Sequence, residues 1–411
     1  MRETVALLHY SYPPIIGGVE FVVEGHARVL ARYGHRVKVI TGRGEGEEKN
    51  IKVTLIPEMS PAHHKVRAIN EELEQGKASD KFYKLKEFLY QKIKKALQDT
   101  RVCMLHNVMT MHFNLPLTSA LDELIRDLHK RVRFYVWCHD AALTNPLYKL
   151  EKPGEYPWNL LGKFNPKAEY IAISRLRKHE LADLFGVSPD LFNLVPDGMD
   201  IKSFLDISDS IWRIAWDKGI FRDDLVMLFP SRILKRKNYE LAMKITKEIK
   251  LLNMKCRLLI TAPPDPHNPQ SSNYYKDLHL LRQKMKLEEE VIFLDDLKAE
   301  YGLRLGHSEI KSLYRISDLL LITSSHEGFG IPILEAGATR VPIACSEIPP
   351  LLELAQDKAL FFKLEEKPSR IAKRIVDYLD LQPTGALFKR VVSKFDWESI
   401  YRDYLQDLLR R

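Results

Sequence analysis

The sequence feature that most constrains the fold is residues 318–336, where a short apolar run meets a glycine-rich turn. The run at 319–323 is rich in branched residues, which predicts a buried strand of a parallel sheet. Gly328 and Gly330 predict a sharp turn, and Pro332 suits the first turn of a helix. We therefore expect a strand, a turn and a helix, an order in which the helix N-terminus binds an anion such as a diphosphate.

Two glutamates accompany this turn. Glu327 lies in the turn, and Glu335 lies eight residues later in the predicted helix. A carboxylate repels a phosphate, but it accepts hydrogen bonds from hydroxyl groups. A diphosphate flanked by two sets of hydroxyls describes a sugar nucleotide, so the segment predicts a ligand of that kind.

The Glu-x7-Glu pattern, set in Glu-Gly-Phe-Gly-x-Pro-x-x-Glu-Ala, resembles the donor-binding signature of the retaining glycosyltransferase family 4, or glycosyl transferases group 1. The resemblance implies the GT-B fold, which has two Rossmann-like, doubly wound parallel-sheet domains facing a central cleft. It also implies that Glu327 contacts the transferred sugar and that Glu335 contacts the ribose hydroxyls. The donor-binding residues implied within the signature are Glu327, Gly328, Phe329, Gly330, Ile331 and Glu335.

The length of 411 residues suits two domains of about 200 residues each. Apolar runs alternate with helical patterns in both halves, which predicts parallel sheets covered on both faces. We expect an N-terminal domain at residues 1–205, joined by the last helix at 392–411, and a C-terminal domain at 206–391. The resemblance assigns acceptor binding to the first domain and nucleotide-sugar binding to the second.

The charge favours acidic partners. Lys and Arg number 63 and Asp and Glu number 55, so the formal charge is +8, and the isoelectric point is near 9.0. Nucleotides, lipid-linked or phosphorylated acceptors and an anionic membrane surface fit this charge, and small polyol acceptors stay open. No zinc-ligand spacing or RNP-type motif is present, so nucleic acid is not an expected partner. The oligomeric state is not predicted.

The cysteine pattern predicts an intracellular protein. The four cysteines lie in separate apolar runs without a close pair, which predicts buried thiols rather than disulfides. The apolar run at the start is too short for a signal peptide, and no apolar stretch approaches the length of about 18 residues expected of a membrane span. We expect a cytoplasmic protein that is soluble or attached peripherally to the inner face of the membrane.

Polar residues follow predicted strands in the first half. His106 and Asn107 follow an apolar run at 102–105, and His139 follows one at 132–137. In doubly wound sheets the ligand crevice lies at the carboxyl ends of the strands, so these side chains are candidate ligand contacts. His139 resembles the active-site histidine of the family. His106 and Asn107 are candidates for acceptor binding.

Three further first-half segments carry predictions. Gly17 and Gly18 open the first predicted helix, and the resemblance places them in the donor phosphate pocket, with a merely flexible turn as the alternative. His63 and His64 belong to a basic cluster that fits an acidic or phosphorylated acceptor, with a solvated helix start as the alternative. The turn containing Asp197 resembles the Pro-Asn-Gly-Val-Asp turn of the family, although the family has asparagine where this chain has Asp197.

Two cations follow the first predicted strand of the second half. Arg232 and Lys237 lie between that strand and a helix, where a diphosphate is expected, and an arginine with a lysine five residues later resembles the phosphate-binding pair of the family. Lys235 and Arg236 are expected to be solvated, with either of them in the place of Lys237 as the alternative. The resemblance also implies that Leu294, at the end of another predicted strand, lies beside the nucleobase of the donor.

No metal site or cofactor is predicted. The aspartate pairs at 223–224 and 295–296 lack further ligand-type residues around them. The Pro-rich loop at 262–269 is long for a connection in such a sheet and has no assigned role. Residues 262–273 and the charged helical region at residues 58–100 are the parts that the resemblance covers least.

The predicted reaction transfers a hexose from a nucleoside diphosphate sugar to a hydroxyl acceptor with retention of anomeric configuration and without a metal. His139, Arg232, Lys237 and Glu327 are its predicted catalytic residues. The alternatives are a nucleotide-sugar 2-epimerase of the same fold and a non-catalytic sugar-nucleotide-binding protein. A Rossmann oxidoreductase is disfavoured because the glycines at 42–46 do not open a helix.

Overall fold

A computed structural model of the chain describes residues 3–15, 17–261, 270–381 and 383–411, so the Pro-rich loop at 262–269 lies outside the described residues. The chain divides into two compact units. The first runs to Asp200 and also includes Phe395–Arg411, and the second is Ile201–Lys394. The first boundary therefore follows Asp200 rather than residue 205, and the chain returns to the first unit at Phe395 rather than at residue 392.

The first unit is built on an eight-stranded sheet with the strand order β3-β4-β2-β1-β5-β6-β7-β8. Neighbouring strands are parallel except β3 and β4. The central strands β1 and β5 are buried on both faces, which explains their nearly continuous apolar sequences. The strands are β1 (Thr4–His9), β2 (Arg36–Thr41), β3 (Glu47–Glu48), β4 (Ile51–Leu55), β5 (Val102–His106), β6 (Arg133–Cys138), β7 (Glu169–Ala172) and β8 (Phe192–Leu194).

Helices connect these strands, as expected for parallel pairs. The charged region at residues 58–100 forms two helices, α2 and α3, whose buried side chains include Val66, Ile69, Phe82 and Leu89. The helices that precede β8 are α1 (Gly18–Arg32), α2 (His64–Glu74), α3 (Asp80–Ala96), α4 (Leu115–Leu128) and α5 (Arg175–Phe185).

The second unit has a six-stranded, wholly parallel sheet with the order β11-β10-β9-β12-β13-β14. The strands are β9 (Leu225–Phe229), β10 (Cys256–Ile260), β11 (Val291–Phe293), β12 (Leu319–Ile322), β13 (Ile343–Ser346) and β14 (Leu360–Phe362). Both units are Rossmann-like α/β domains, so the predicted fold class is confirmed.

Most helices of the second unit alternate with its strands. They are α6 (Ile201–Phe204), α7 (Asp209–Asp217), α8 (Tyr239–Leu251), α9 (Gln270–Met285), α10 (Lys298–Tyr301), α11 (His307–Ile316), α12 (Ile331–Thr339), α13 (Pro349–Ala355), α14 (Pro368–Asp380) and α15 (Pro383–Phe395). After α15 the chain rejoins the first unit as α16 (Trp397–Ile400), a π-helical turn (Tyr401–Leu405) and α17 (Gln406–Arg410).

The returning segment packs closely on the first unit. The rings of Tyr33 and Tyr401 stack with centroids 3.7 Å apart, and the hydroxyl of Tyr135 donates a hydrogen bond of 2.7 Å to the main-chain oxygen of Leu408. Trp397 lies against Gly25 of α1, where an added Cβ atom would be 2.0 Å from its ring. Because α1 carries glycine at this position, the indole can approach the helix backbone.

The four cysteines, Cys103, Cys138, Cys256 and Cys345, are buried and free, as predicted. Burial raises the pKa of the Cys138 thiol to about 12, which keeps it protonated and unreactive at neutral pH. Among the helices in the described part of the chain, none combines the length and the apolar character that crossing a bilayer requires.

We predict opposite effects of alanine at two helical glycines. Gly25→Ala should lower the free energy of unfolding by about 1–3 kcal/mol, because the new methyl group overlaps Trp397. Gly337→Ala, in α12, should raise it by up to about 1 kcal/mol, because the position is open and alanine favours the helix. Thermal and urea unfolding followed by circular dichroism would measure both, and a stabilising Gly25→Ala would contradict the close packing.

Candidate functional site

The site in the second unit is built on two adjacent strands. Strand β12 pairs directly with β9, so the loops that follow their carboxyl ends emerge side by side. The loop after β12 is fixed to the loop after β9 by a hydrogen bond of 2.8 Å from Ser325 N to Arg236 O. The hydroxyl of Thr323 also donates to the main-chain oxygens of Lys237 and Asn238, at 2.9 and 2.8 Å. The predicted cations and the glycine-rich turn are therefore neighbours.

Glu327 is the centre of this arrangement. Its Oε1 atom lies 2.5 Å from Nζ of Lys237 and 2.7 Å from the hydroxyl of Ser324, and the residue is 9% exposed. Burial alone would raise the pKa of Glu327, but the hydrogen bonds from Lys237 and Ser324 hold it below its usual value. The carboxylate is therefore ionised at neutral pH and links the two loops.

Arg236 is a site residue that the sequence expectation missed. Its guanidinium donates to the main-chain oxygen of His326 at 2.7 Å and to Oε2 of Glu327 at 3.2 Å, instead of being only solvated. A 3-10 turn at Lys235–Lys237 gives three successive cations different directions. Sequence spacing alone does not show which of them reach the carboxylate.

Arg232 differs from its neighbours because its side chain makes no hydrogen bond or ion pair with the described residues. It is exposed, while its main-chain oxygen and that of Ser231 accept hydrogen bonds from the hydroxyl of Tyr239, at 2.8 and 2.9 Å. The backbone at Arg232 is thus held by a buried tyrosine, and its guanidinium is available to a ligand.

The glycine-rich turn ends at the start of α12, as predicted. Gly330 has a φ angle of +106° and directly precedes the helix, and an added Cβ atom would lie 2.9 Å from Leu351. Glycine is therefore required by both conformation and space. Gly328 has no such neighbour, and the adjacent Phe329 and Ile331 are 56% and 61% exposed. Two apolar side chains thus face solvent beside the free N–H groups of α12.

Two further predicted donor contacts, Glu335 and Leu294, lie in the second unit. Glu335 is one turn into α12, where its Oε2 atom accepts a hydrogen bond of 2.8 Å from the hydroxyl of Tyr314. Leu294 begins a 3-10 helix after β11 and has no exposed surface. A nucleobase at this position would therefore contact the main chain of Leu294 and not its side chain.

The glycine pair of the first unit lies beside a carboxylate. Glu20, in the first turn of α1, accepts a hydrogen bond of 2.6 Å from the hydroxyl of Ser11 and lies 3.7 Å from the ring of His9. Burial opposes ionisation, but these partners lower the pKa of Glu20 to about 2. An added Cβ atom on Gly17 would lie 2.1 Å from the carboxylate, whereas Gly18 is open. This helix start already holds a negative charge, which disfavours the phosphate contact implied for the two glycines.

The histidines predicted at the strand ends meet in the first unit. His139 is 9% exposed, and its ring lies between His106 and Asp197, with contacts of 3.3 Å to each. His106 has no exposed surface, so it contacts His139 instead of offering a surface to an acceptor. Asn107 is 8% exposed, and its amide oxygen accepts a hydrogen bond of 2.9 Å from the backbone of Asp140.

His63 and His64, of the basic cluster, form the N-terminal end of helix α2. Nδ1 of His63 accepts a hydrogen bond of 3.3 Å from the backbone N–H of Lys65, and the ring of His64 lies 4.4 Å from that of His63. Burial lowers the pKa of His63, and like charges nearby add to this effect. Both side chains fit the alternative of a solvated helix N-terminus, and their contact with an acceptor stays a prediction.

The two parallel α/β units, with a cationic, glycine-rich strand end in the second, agree with the class of protein that the sequence predicts, a glycosyltransferase. Residues 210–390 match the family described as glycosyl transferases group 1, and residues 16–203 match glycosyltransferase family 4. These two matches span most of the chain, which belongs to the group 1, family 4 type of glycosyltransferase. The resemblance carried by Glu327 and Glu335 is thereby confirmed.

Similar proteins extend over most of the chain. An uncharacterized glycosyltransferase of Methanocaldococcus jannaschii is 23% identical over 423 residues, covering 97% of this chain and 96% of that protein. Mannosylglucosylglycerate synthase of Thermotoga maritima is 22% identical over 364 residues, covering 84% and 80%. The crystal structure of HepE from Anabaena in complex with UDP and glucose aligns over the whole of both chains with 18% identity and a TM-score of 0.39.

We predict that Glu327→Gln lowers the free energy of unfolding by about 2 kcal/mol at pH 7, because it leaves Lys237 and Arg236 without their carboxylate. The pKa of Glu327 is depressed in the folded state, so its contribution is present above the unfolded value of 4.5 and lost as pH falls through the folded value. Urea unfolding at pH 7 and at several values below 4.5 should show the difference between wild type and variant shrink with falling pH.

The matched control is Glu365→Gln, which changes an exposed glutamate of the same unit. It should leave stability unchanged at each pH. A constant difference between wild type and Glu327→Gln across this pH range would contradict an ionised, stabilising Glu327.

Proposed function

We propose that the chain transfers a hexose from a nucleoside diphosphate sugar to a hydroxyl acceptor, with retention of anomeric configuration and without a metal ion. The observation that carries the proposal is the pairing of Glu327 with Lys237 and Arg236 just before the N-terminus of α12, with Arg232, unpaired among the described residues, in the same loop after β9. Cations and free backbone N–H groups suit a diphosphate, and buried carboxylates suit hydroxyl groups.

In this proposal the diphosphate contacts the unpaired guanidinium of Arg232 and the N–H groups at Gly330 and the start of α12. Glu335 accepts hydrogen bonds from the ribose, and Glu327 from the hexose. The exposed Phe329 supplies apolar contact area next to the sugar nucleotide. These contacts assign donor binding to the second unit.

The same groups favour the transition state. Negative charge grows on the diphosphate as the glycosidic bond breaks, and in this proposal the guanidinium of Arg232, the charge of Lys237 and the helix N–H groups stabilise that charge. They supply the stabilisation that a bound metal would otherwise provide. Among the described residues, no group of three or more His, Cys, Asp or Glu side chains is arranged to hold a metal ion.

We assign His139 to the positioning of the donor sugar. The departing phosphate helps to remove the proton of the acceptor hydroxyl. The acceptor attacks on the face of the sugar from which the phosphate leaves, and this gives retention. The oxygen of the acceptor forms the new bond to the anomeric carbon as the bond to the phosphate oxygen breaks, so the products are a glycoside and a nucleoside diphosphate.

The substrates are best sought among hexose donors and polyhydroxylated acceptors. Mannosylglucosylglycerate synthase, the relative of T. maritima, has a name that describes mannose joined to a glucosylated sugar acid. Mannose and glucose donors are therefore the first candidates, in UDP, GDP and ADP forms, and glycosylated small acids and polyols are the first acceptors.

The test is a thermal-shift screen of these donors, followed by product detection with the acceptor panel, each with and without EDTA. The expected result is nucleoside diphosphate release that requires an acceptor, survives EDTA and gives a product with the anomeric configuration of the donor. Formation of an epimeric donor without acceptor would favour the 2-epimerase alternative. Donor binding with no release over the panel would favour a non-catalytic sugar-nucleotide-binding protein, and loss of activity in EDTA would contradict metal independence.

We predict that Arg232→Ala lowers kcat about a hundredfold and weakens donor binding far less, since the guanidinium acts mainly on charge that develops during the reaction. Steady-state kinetics and calorimetric titration of the donor would separate the two effects. Lys235→Ala removes a neighbouring exposed cation outside the proposed site and should change kcat less than about twofold. Equal losses in kcat and donor affinity for Arg232→Ala would reject transition-state stabilisation as its role.

A further inference from the structure

The ring of His139 belongs to a row of three hydrogen-bonding groups within the first unit. Its Nδ1 atom lies 3.3 Å from Oδ2 of Asp197, and its Nε2 atom lies 3.3 Å from Nδ1 of His106. His106 ends β5, His139 follows β6, and Asp197 lies in the turn after β8. Three segments that are distant in sequence therefore meet at one imidazole.

The buried end of the row is neutral. Burial lowers the pKa of His106 well below its usual value and that of His26 to about 3, so both rings are uncharged at neutral pH. The ring centroid of His26 lies 5.2 Å from that of His106, 4.7 Å from Trp137 and 4.9 Å from Trp397. The ring of His106 lies beside those of His26 and Trp137, with centroids 5.2 and 5.3 Å away, and the carboxylate of Asp197 lies at the other end of the row.

The partners of His139 determine where its protons lie. A carboxylate only accepts hydrogen bonds, so the contact with Asp197 requires a proton on Nδ1 of His139. A neutral His139 then accepts a hydrogen bond on Nε2 from His106, and a protonated His139 donates one to it. In both arrangements the Nδ1–H group of His139 donates a hydrogen bond to Asp197. The ring therefore keeps one orientation whether it is neutral or protonated.

The Asp197 carboxylate is incompletely paired. Its Oδ1 atom is buried and has no hydrogen-bond partner among the described residues, although buried oxygens that serve structure alone are normally paired. The contact of Oδ2 with Nδ1 of His139 is the hydrogen bond that the side chain makes among the described residues, which points to a role through that histidine. An asparagine at this position could present either an oxygen or an N–H₂ group to the ring. A carboxylate removes that ambiguity.

We propose that Asp197 is a positioning residue for His139, and that it fixes the Nδ1–H tautomer and the ring orientation with which His139 acts. The effect on turnover rests on the proposed function, in which His139 positions the donor sugar. The tautomer itself does not depend on that function.

The direct test is nuclear magnetic resonance of the full chain labelled with ¹⁵N-histidine. Long-range ¹H–¹⁵N correlation spectra distinguish the two neutral tautomers, and the His139 signals are those that disappear in His139→Ala. We expect Nδ1–H in wild type, a shift towards Nε2–H in Asp197→Ala, and a mixture in Asp197→Asn. Wild-type His139 in the Nε2–H form, or an unchanged tautomer in both variants, would overturn the proposal.

The kinetic test is a double-mutant cycle. Asp197→Ala should lower kcat by about tenfold to a hundredfold with little change in KM for the donor, because misplacement of a reacting group costs about that much. In the His139→Ala background the same substitution should have no further effect, since Asp197 acts through His139. Independent, multiplicative losses would contradict this.

Two variants complete the design. Asp183→Ala removes an exposed carboxylate from α5 of the same unit and should leave both kcat and the His139 tautomer unchanged. Asp197→Asn keeps the shape of the side chain, so it reports on the charge even if Asp197→Ala fails to fold. If no acceptor in the panel is glycosylated, the proposed function fails while the spectra still decide the role of Asp197.

Discussion

The buried carboxylate of Glu327 is the interaction on which the second unit's site depends. It reaches two cations of the loop after β9 from the loop after β12, so it fixes the distance between the cationic strand end and the glycine-rich turn. Removing two charges from water is costly, and a pair of this kind persists only where other hydrogen bonds complete it. Ser324 and the backbone contacts of Ser325 provide them, which gives the site a defined shape before any ligand binds.

The pairing of Glu327 with cations also determines which positive charges are free to meet the proposed donor substrate. Lys237 is already paired with Glu327, whereas Arg232 has no side-chain partner among the described residues. In the proposed function, Arg232 is therefore the cation that a diphosphate would meet without first breaking an ion pair, and Lys237 would contribute its charge while it stays bound to the carboxylate. The carboxylate oxygens of Glu327 can accept further hydrogen bonds, and sugar hydroxyls are groups that donate them.

The sequence predicted the second unit well because the patterns that define its strands and its glycine-rich turn each lie within one short segment. Strands β9, β11, β12 and β14 are uninterrupted apolar runs, and the turn at Gly330 combines glycine, proline and a helical glutamate within a few residues. The contacts that it missed join residues far apart in the chain. Arg236 meets Glu327 across 91 positions, and His106 is buried because His26 and Trp137 close around it. The spacing of residues within a single segment predicts neither contact.

The two units repeat one local motif with opposite electrostatics, and this contrast supports the assignment of their substrates. Each has a strand, a glycine-containing turn and a helix, with a glutamate close to the start of the helix: Glu20 in the first turn of α1 and Glu327 in the turn before α12. In the second unit cations from the neighbouring strand end compensate Glu327, which leaves positive charge for a diphosphate. In the first unit Glu20 is held by Ser11 and His9, and its ionised carboxylate lies over Gly17. A helix start that already holds an anion favours hydroxyl donors over a phosphate, which agrees with a donor in the second unit and a hydroxyl acceptor in the first.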